Sequence, residues 1–118
     1  MRQIDHFIAG GTGGSGGTRQ ADVFNPSTGQ VQAQVTLGDA ATLERAVAAA
    51  QAAQPAWAAL NPQRRARVMF NFKALIERDM QLLAELLSSE HGKVVANSKG
   101  DIQRGLEVVE FCCGLPHV

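Results

Sequence analysis

The sequence carries no excess of either charge. Eleven Lys and Arg balance eleven Asp and Glu, for a formal net charge of zero at pH 7. Binding to nucleic acid by counterion release needs a basic surplus, so the balance argues against that class. Long apolar runs are also missing, and no stretch approaches the roughly 20 residues that span a bilayer. The opening MRQIDHFIAG lacks an apolar core of signal-peptide length and an Arg- and Ser-rich transit character, so the chain reads as soluble and cytoplasmic. Cysteine is scarce: Cys112 and Cys113 are adjacent and there are no others. Neighbouring Cα atoms lie about 3.8 Å apart, short of the roughly 4.4–6.8 Å of ordinary disulfides, which excludes a disulfide framework. His6, His91 and His117 are scattered and no Cys-x-x-Cys occurs, so no zinc motif is present.

What is there suits a packed core. Hydrophobic residues make up 45% and charged residues 19% of 118 positions, the size of one domain or part of one. The first 38 residues read as short strands. Phe7-Ile8 and Val23-Phe24 are apolar pairs, and Asn25-Pro26-Ser27-Thr28-Gly29 is a turn. Val31, Ala33, Val35 and Leu37 then alternate with Gln32, Gln34 and Thr36, the period of a half-buried strand.

From Gly38 the period becomes helical. Asp39 is placed to cap a helix carrying Leu43, Ala46, Val47, Ala50 and Ala53, which Pro55 should interrupt, with Trp57 and Leu60 closing over its end. Asn61-Pro62 restarts a helix with the stripe Val68, Met69, Phe72, Leu75 and Ile76. Asp79 recaps the chain for Met80, Leu83, Ala84 and Leu87, and His91-Gly92 stops it. A last helix carries Ile102, Leu106, Val109 and Cys113 before Gly114 and Pro116. The expected fold class is therefore α+β: a two- to three-strand antiparallel β segment over 1–38, with a Gly-rich loop at 10–17, then about four helices over 39–118.

Few residues suggest chemistry. Gly11, Gly13 and Gly16 spell G-x-G-x-x-G, but that motif holds a dinucleotide only between a strand and a helix, and a strand-like TRQADVF follows here. The loop reads as a hairpin connection, and no residue is assigned to cofactor binding. Gly92-Lys93 resembles the end of a P-loop but lacks the upstream glycine and the Ser/Thr, so it reads as a helix stop before a surface lysine. Cys112 and Cys113 fall near a helix C-terminus, where the dipole disfavours a thiolate, and read as core or near-core thiols. Arg64, Arg65 and Arg67 read as a solvated helix face. Arg104 lies away from the last helix's apolar stripe. It suits either a carboxylate clamp or a surface ion pair with Asp101 or Glu107. No catalytic residue and no metal ligand is assigned.

Taken together, HFIAGG, ADVFNPSTGQVQAQV, LERAVAAAQAAQPAW, RRARVMFNFKALIERD, EHGK and GDIQRGLEVVEFCCGLPHV resemble the N-terminal part of an aldehyde dehydrogenase. SSEHGK and KGDIQRGLEVVEFCCGLPH are most similar to the CoA-acylating methylmalonate-semialdehyde dehydrogenases. The resemblance implies the outer part of a cofactor domain, in an enzyme that uses NAD and CoA on a small semialdehyde and assembles as a homo-oligomer. It places the family's catalytic residues outside the matched region, so the chain alone should bind no cofactor and be inactive. It also implies that Arg104 recognises the substrate carboxylate. The rival readings are a free-standing helical interaction module, or a segment from another aldehyde dehydrogenase subgroup.

Overall fold

The computed structural model describes residues 1–13 and 19–118. The chain divides into two compact units, Met1–Ala58 and Ala59–Val118. The change from strand to helix comes earlier, between β5 (Val31–Thr36) and α1 (Ala40–Ala59).

In the first unit, β4 (Gln20–Phe24) pairs antiparallel with β5, Ala21 opposite Val35 and Val23 opposite Ala33. The predicted turn joins them. The Asn25 carbonyl accepts from Gly29 N at 2.8 Å, Asn25 Oδ1 accepts from Ser27 N at 2.9 Å, and Gly29 takes φ 71°, which suits a residue without Cβ. The predicted strand forms, with Ala33 fully buried in its central position in the sheet, but Leu37 falls beyond β5 and is exposed. On the other face, amide Gln34 donates to Asp22 Oδ1 at 3.1 Å and accepts from Gln3 Nε2 at 3.3 Å, a polar ladder across all three strands.

The third strand corrects the expected topology. β1 (Arg2–Ile4) lies parallel to β5, in the order β1-β5-β4, so the sheet is mixed and not wholly antiparallel. A three-residue segment is too short to show a period, and its direction is set by pairing partners far along the chain. Phe7-Ile8 forms β2 (Phe7–Ile8), in a separate tight hairpin with β3 (Gly11–Thr12). Ala9 and Gly10, at φ 56° and 81°, make its turn, a combination matching hairpin twist. Gly16 and the rest of 14–18 lie outside the described residues.

Asp39 caps α1 as expected: its Oδ1 accepts from Thr42 N at 2.8 Å and from Thr42 Oγ1 at 2.7 Å. Pro55 does not interrupt α1, and Trp57 lies within the helix, 43% exposed, instead of closing over its end. Pro55 sits in the penultimate turn of an exposed stretch, where water can serve the carbonyl that loses its donor. Leu43 and Val47 of the predicted stripe are 65% and 47% exposed.

The second unit comprises α2 (Pro62–Arg78), α3 (Met80–His91), α4 (Val95–Cys113) and a 3-10 turn, Leu115–His117. Asn61 Oδ1 caps α2 by accepting from Gln63 N at 2.8 Å, and Pro62 opens it. Asp79 is the junction before α3, but its carboxylate accepts from Arg78 Nε and Nη2, at 2.9 and 2.7 Å, instead of capping the backbone. The core gathers Ala66, Ala84, Ser98, Leu106, Val109 and Cys113. The α4 stripe is therefore as read.

The α2 stripe is rotated. Its inward positions are Ala66, Met69, Lys73 and Ile76, whereas Val68, Phe72 and Leu75 are each 48% exposed. Ala66 is the buried residue of α2, which packs against α4, and a small residue on the inward face suits close helix approach. The same rotation corrects the arginine cluster. Arg64 and Arg67 are exposed, but Arg65 is half-buried, with its Nε fully buried and without a hydrogen-bond partner.

Candidate functional site

The site is built at the corner between α3 and α4. Gly92 ends α3 in the left-handed region at φ 89°, with its N–H donating to Ser88 O at 2.8 Å. Val94 is extended and α4 begins at Val95. Ser98, in the first part of α4, has no exposed surface, and its Oγ lies 2.8 Å from Ser88 Oγ of α3. This hydroxyl pair ties the two helices together beside the loop that carries Lys93.

Lys93 reaches over that loop to α4, and its Nζ donates to Asp101 Oδ2. Its side chain is only 24% exposed, so it is more enclosed than the surface lysine expected from the sequence. The other oxygen of Asp101 accepts from Arg104 Nη1 at 2.5 Å, one turn further along. The hydrogen bond from Lys93 holds the Asp101 carboxyl below its ordinary range, against a contrary push from desolvation. The charge of Lys93 and the bond and charge of Arg104 act in the same sense as that hydrogen bond. Two cations thus share one carboxylate, and the cluster keeps one positive charge.

Arg104 faces away from Leu106 and Val109, and its side chain is 75% exposed. One edge of the guanidinium is engaged by Asp101, in the ion pair that was one of its two expected roles. The planar fork remains accessible and matches a second carboxylate. Lys93 was missed as part of this arrangement. Its spacing of eight from Asp101 crosses a helix stop, and no helical periodicity predicts such a pair.

The other expected residues lie elsewhere. Cys113 is buried and Cys112 half-buried in the last turn of α4. Cys113, Arg67, Glu110 and His117 line an open hollow of about 530 Å³. Sequence reasoning also missed His6. Its Nε2 is buried without a hydrogen-bond partner, against Gly38, where a Cβ would come within 3.4 Å of the ring. His6 borders a second hollow of about 600 Å³, with Arg19, Asp39 and Thr42. Among the described residues, no three His, Cys, Asp or Glu side chains converge to hold a metal, and no helix is long and apolar enough to cross a membrane.

The described flanks of the glycine loop at 10–17 are the strands β3 and β4, the context read from the sequence.

Comparison with known proteins identifies the family. The model of the aldehyde dehydrogenase family matches residues 13–118. The chain is 42% identical, over all 118 residues, to a malonate-semialdehyde dehydrogenase of Pseudomonas aeruginosa, covering 24% of that protein. It is 40% identical over 116 residues to malonate-semialdehyde dehydrogenase 1 of Shouchella clausii, covering 98% of this chain and 24% of that one. A crystal structure from Sinorhizobium meliloti 1021, assigned as a methylmalonate-semialdehyde dehydrogenase and complexed with NAD, superposes with a TM-score of 0.97 at 52% identity. That match covers 99% of this chain and 24% of the other. The chain thus spans about a quarter of the length of the relatives it matches. With the family model matched over residues 13–118 and the fold superposing over 99% of its length, the chain belongs to the aldehyde dehydrogenase family.

Proposed function

We propose that this chain serves as the amino-terminal portion of an NAD-dependent, CoA-acylating malonate- or methylmalonate-semialdehyde dehydrogenase, in which Arg104 holds the substrate's carboxylate. The observation that carries the reading is the 42% identity along the whole chain to the malonate-semialdehyde dehydrogenase of P. aeruginosa. In the net reaction, semialdehyde, CoA and NAD give acyl-CoA, carbon dioxide and NADH. Malonate semialdehyde yields acetyl-CoA, and methylmalonate semialdehyde yields propionyl-CoA.

The contribution assigned to this chain is orientation. A semialdehyde with a carboxylate tail reacts fastest when the tail is fixed and the aldehyde is presented in one pose. The exposed fork of Arg104 supplies a fixing point. Segments 1–38 and 39–118 serve one domain that is incomplete on its own. The enzyme in this reading is a cytoplasmic homo-oligomer. Large exposed side chains such as Phe70, Phe111 and Val108, at 55%, 66% and 63%, support burial against further protein.

The test is a chimera in which these 118 residues replace the corresponding part of the P. aeruginosa relative. NADH formation from malonate semialdehyde that requires CoA supports the reading. Turnover by the 118-residue chain alone, or a folded chimera without CoA-dependent activity, overturns it.

A further inference from the structure

We propose that Asp101, anchored by Lys93, is a positioning residue that presents Arg104 to the substrate carboxylate. The inference rests on the reading of Arg104 as the carboxylate clamp and adds the two side chains that aim it.

The argument begins with freedom. An arginine side chain has many rotamers, and an exposed one must be ordered before it can grip a ligand in one geometry. An i,i+3 pair on one helix does little to order it, because both partners swing together. Asp101 differs from such a partner. Its Oδ2 is held by Lys93, which comes from outside α4, so its Oδ1 is a fixed acceptor for Arg104 Nη1. Lys93 is in turn placed by the left-handed Gly92 and by the Ser88–Ser98 hydroxyl pair at the same corner. The chain of contacts therefore runs from a rigid helix–helix corner to the guanidinium.

Charge supports the same assignment. Two cations and one carboxylate leave a single positive charge, which a monoanionic substrate tail neutralises. Asp101 engages one edge of Arg104 and leaves its side chain 75% exposed, so it orients the group without filling its place.

Positioning and simple electrostatics predict opposite signs. Asp101→Asn removes a negative charge near the site. If charge alone mattered, or if Asp101 merely competed with substrate, KM for malonate semialdehyde would fall. If Asp101 aims Arg104, KM rises, by about tenfold for the loss of one charge-assisted hydrogen bond, and the loss falls on KM and not on kcat.

The experiment uses the active chimera, with steady-state kinetics on malonate semialdehyde and on propanal, which has no carboxylate. Asp101→Asn should raise KM for the semialdehyde and shrink the preference over propanal, and Asp101→Glu should restore part of it. Lys93→Gln, which frees Asp101, should also raise KM, but loss of a cation does so on charge alone; Asp101→Ser, which removes the negative charge and the anchored acceptor, therefore serves if Asp101→Asn fails to fold. A KM that falls or stays unchanged in these variants overturns the proposal. Arg104→Met separates the two levels. If it leaves the preference for the semialdehyde intact, the clamp reading itself has failed. If it abolishes the preference while Asp101→Asn and Lys93→Gln do not alter it, only the positioning role has failed.

Discussion

The hydroxyls of Ser88 and Ser98 lie 2.8 Å apart across the α3–α4 corner, and Ser98 has no exposed surface. One hydroxyl donates to the other, so the fully buried Ser98 hydroxyl is engaged by half-buried Ser88. Ser98→Ala removes that bond and should cost about 0.5–1.5 kcal/mol, the net worth of one neutral hydrogen bond, since half-buried Ser88 can turn to water. Ser98→Leu should cost about 1–3 kcal/mol through overpacking. Urea unfolding followed by circular dichroism measures both, and an unchanged midpoint for either would contradict the packing described.

Gly92 gives a second prediction from the same corner. At φ 89° a side chain meets its own carbonyl, so Gly92→Val should destabilise by about 1–2 kcal/mol. Gly92→Asn should lose less, because asparagine tolerates the left-handed region. Thermal melts of the two variants should keep that order, and equal melting temperatures would argue against a left-handed stop.

How much of this was legible in the sequence depended on range. The strand beginning at Val31 and the Asn25–Gly29 turn were readable because side-chain period and turn chemistry are local. The caps at Asp39 and Asn61 were readable for the same reason. The direction of β1 was not, because parallel pairing joins residues about thirty positions apart and a three-residue strand has no period of its own. Helix α2 has large apolar residues on both faces, Met69 and Ile76 inward and Val68, Phe72 and Leu75 outward, so periodicity alone could not choose between them. Arg104 stood out as an isolated cation on a polar face. Its partner Asp101 was one helical turn away and readable. Lys93 was not, because its approach depends on how the chain reverses at Gly92.

Acid should weaken the fold in a defined direction. Asp39, Asp79 and Asp101 all sit below their ordinary value of 3.8 in the folded chain, chiefly through bonds from Thr42, Arg78 and Lys93 respectively. A carboxyl with a lowered folded value contributes its full share of stability above its unfolded value. That share is lost as pH falls through the folded value, where the native state must also take up the proton. Stability should therefore be flat above about pH 5 and decline below about pH 4. Asp39→Asn keeps an N-cap acceptor but cannot titrate, so its decline should be shallower. A decline as steep as that of the parent would remove Asp39 from the account.

Arginine and lysine at position 104 should separate geometry from charge. Arg104→Lys keeps the positive charge but replaces a planar fork with a point charge on a flexible stem, and its single ammonium cannot match a carboxylate through two parallel bonds. It also faces Asp101 one turn away, at the spacing where a lysine can satisfy that carboxylate alone. In the chimera, Arg104→Lys should raise KM for malonate semialdehyde by about tenfold, the equivalent of one lost charge-assisted bond. The effect on propanal should be small, since it offers no carboxylate to grip. Full retention of semialdehyde KM by the lysine variant would mean that charge suffices and that the forked geometry at the α4 surface is incidental to recognition.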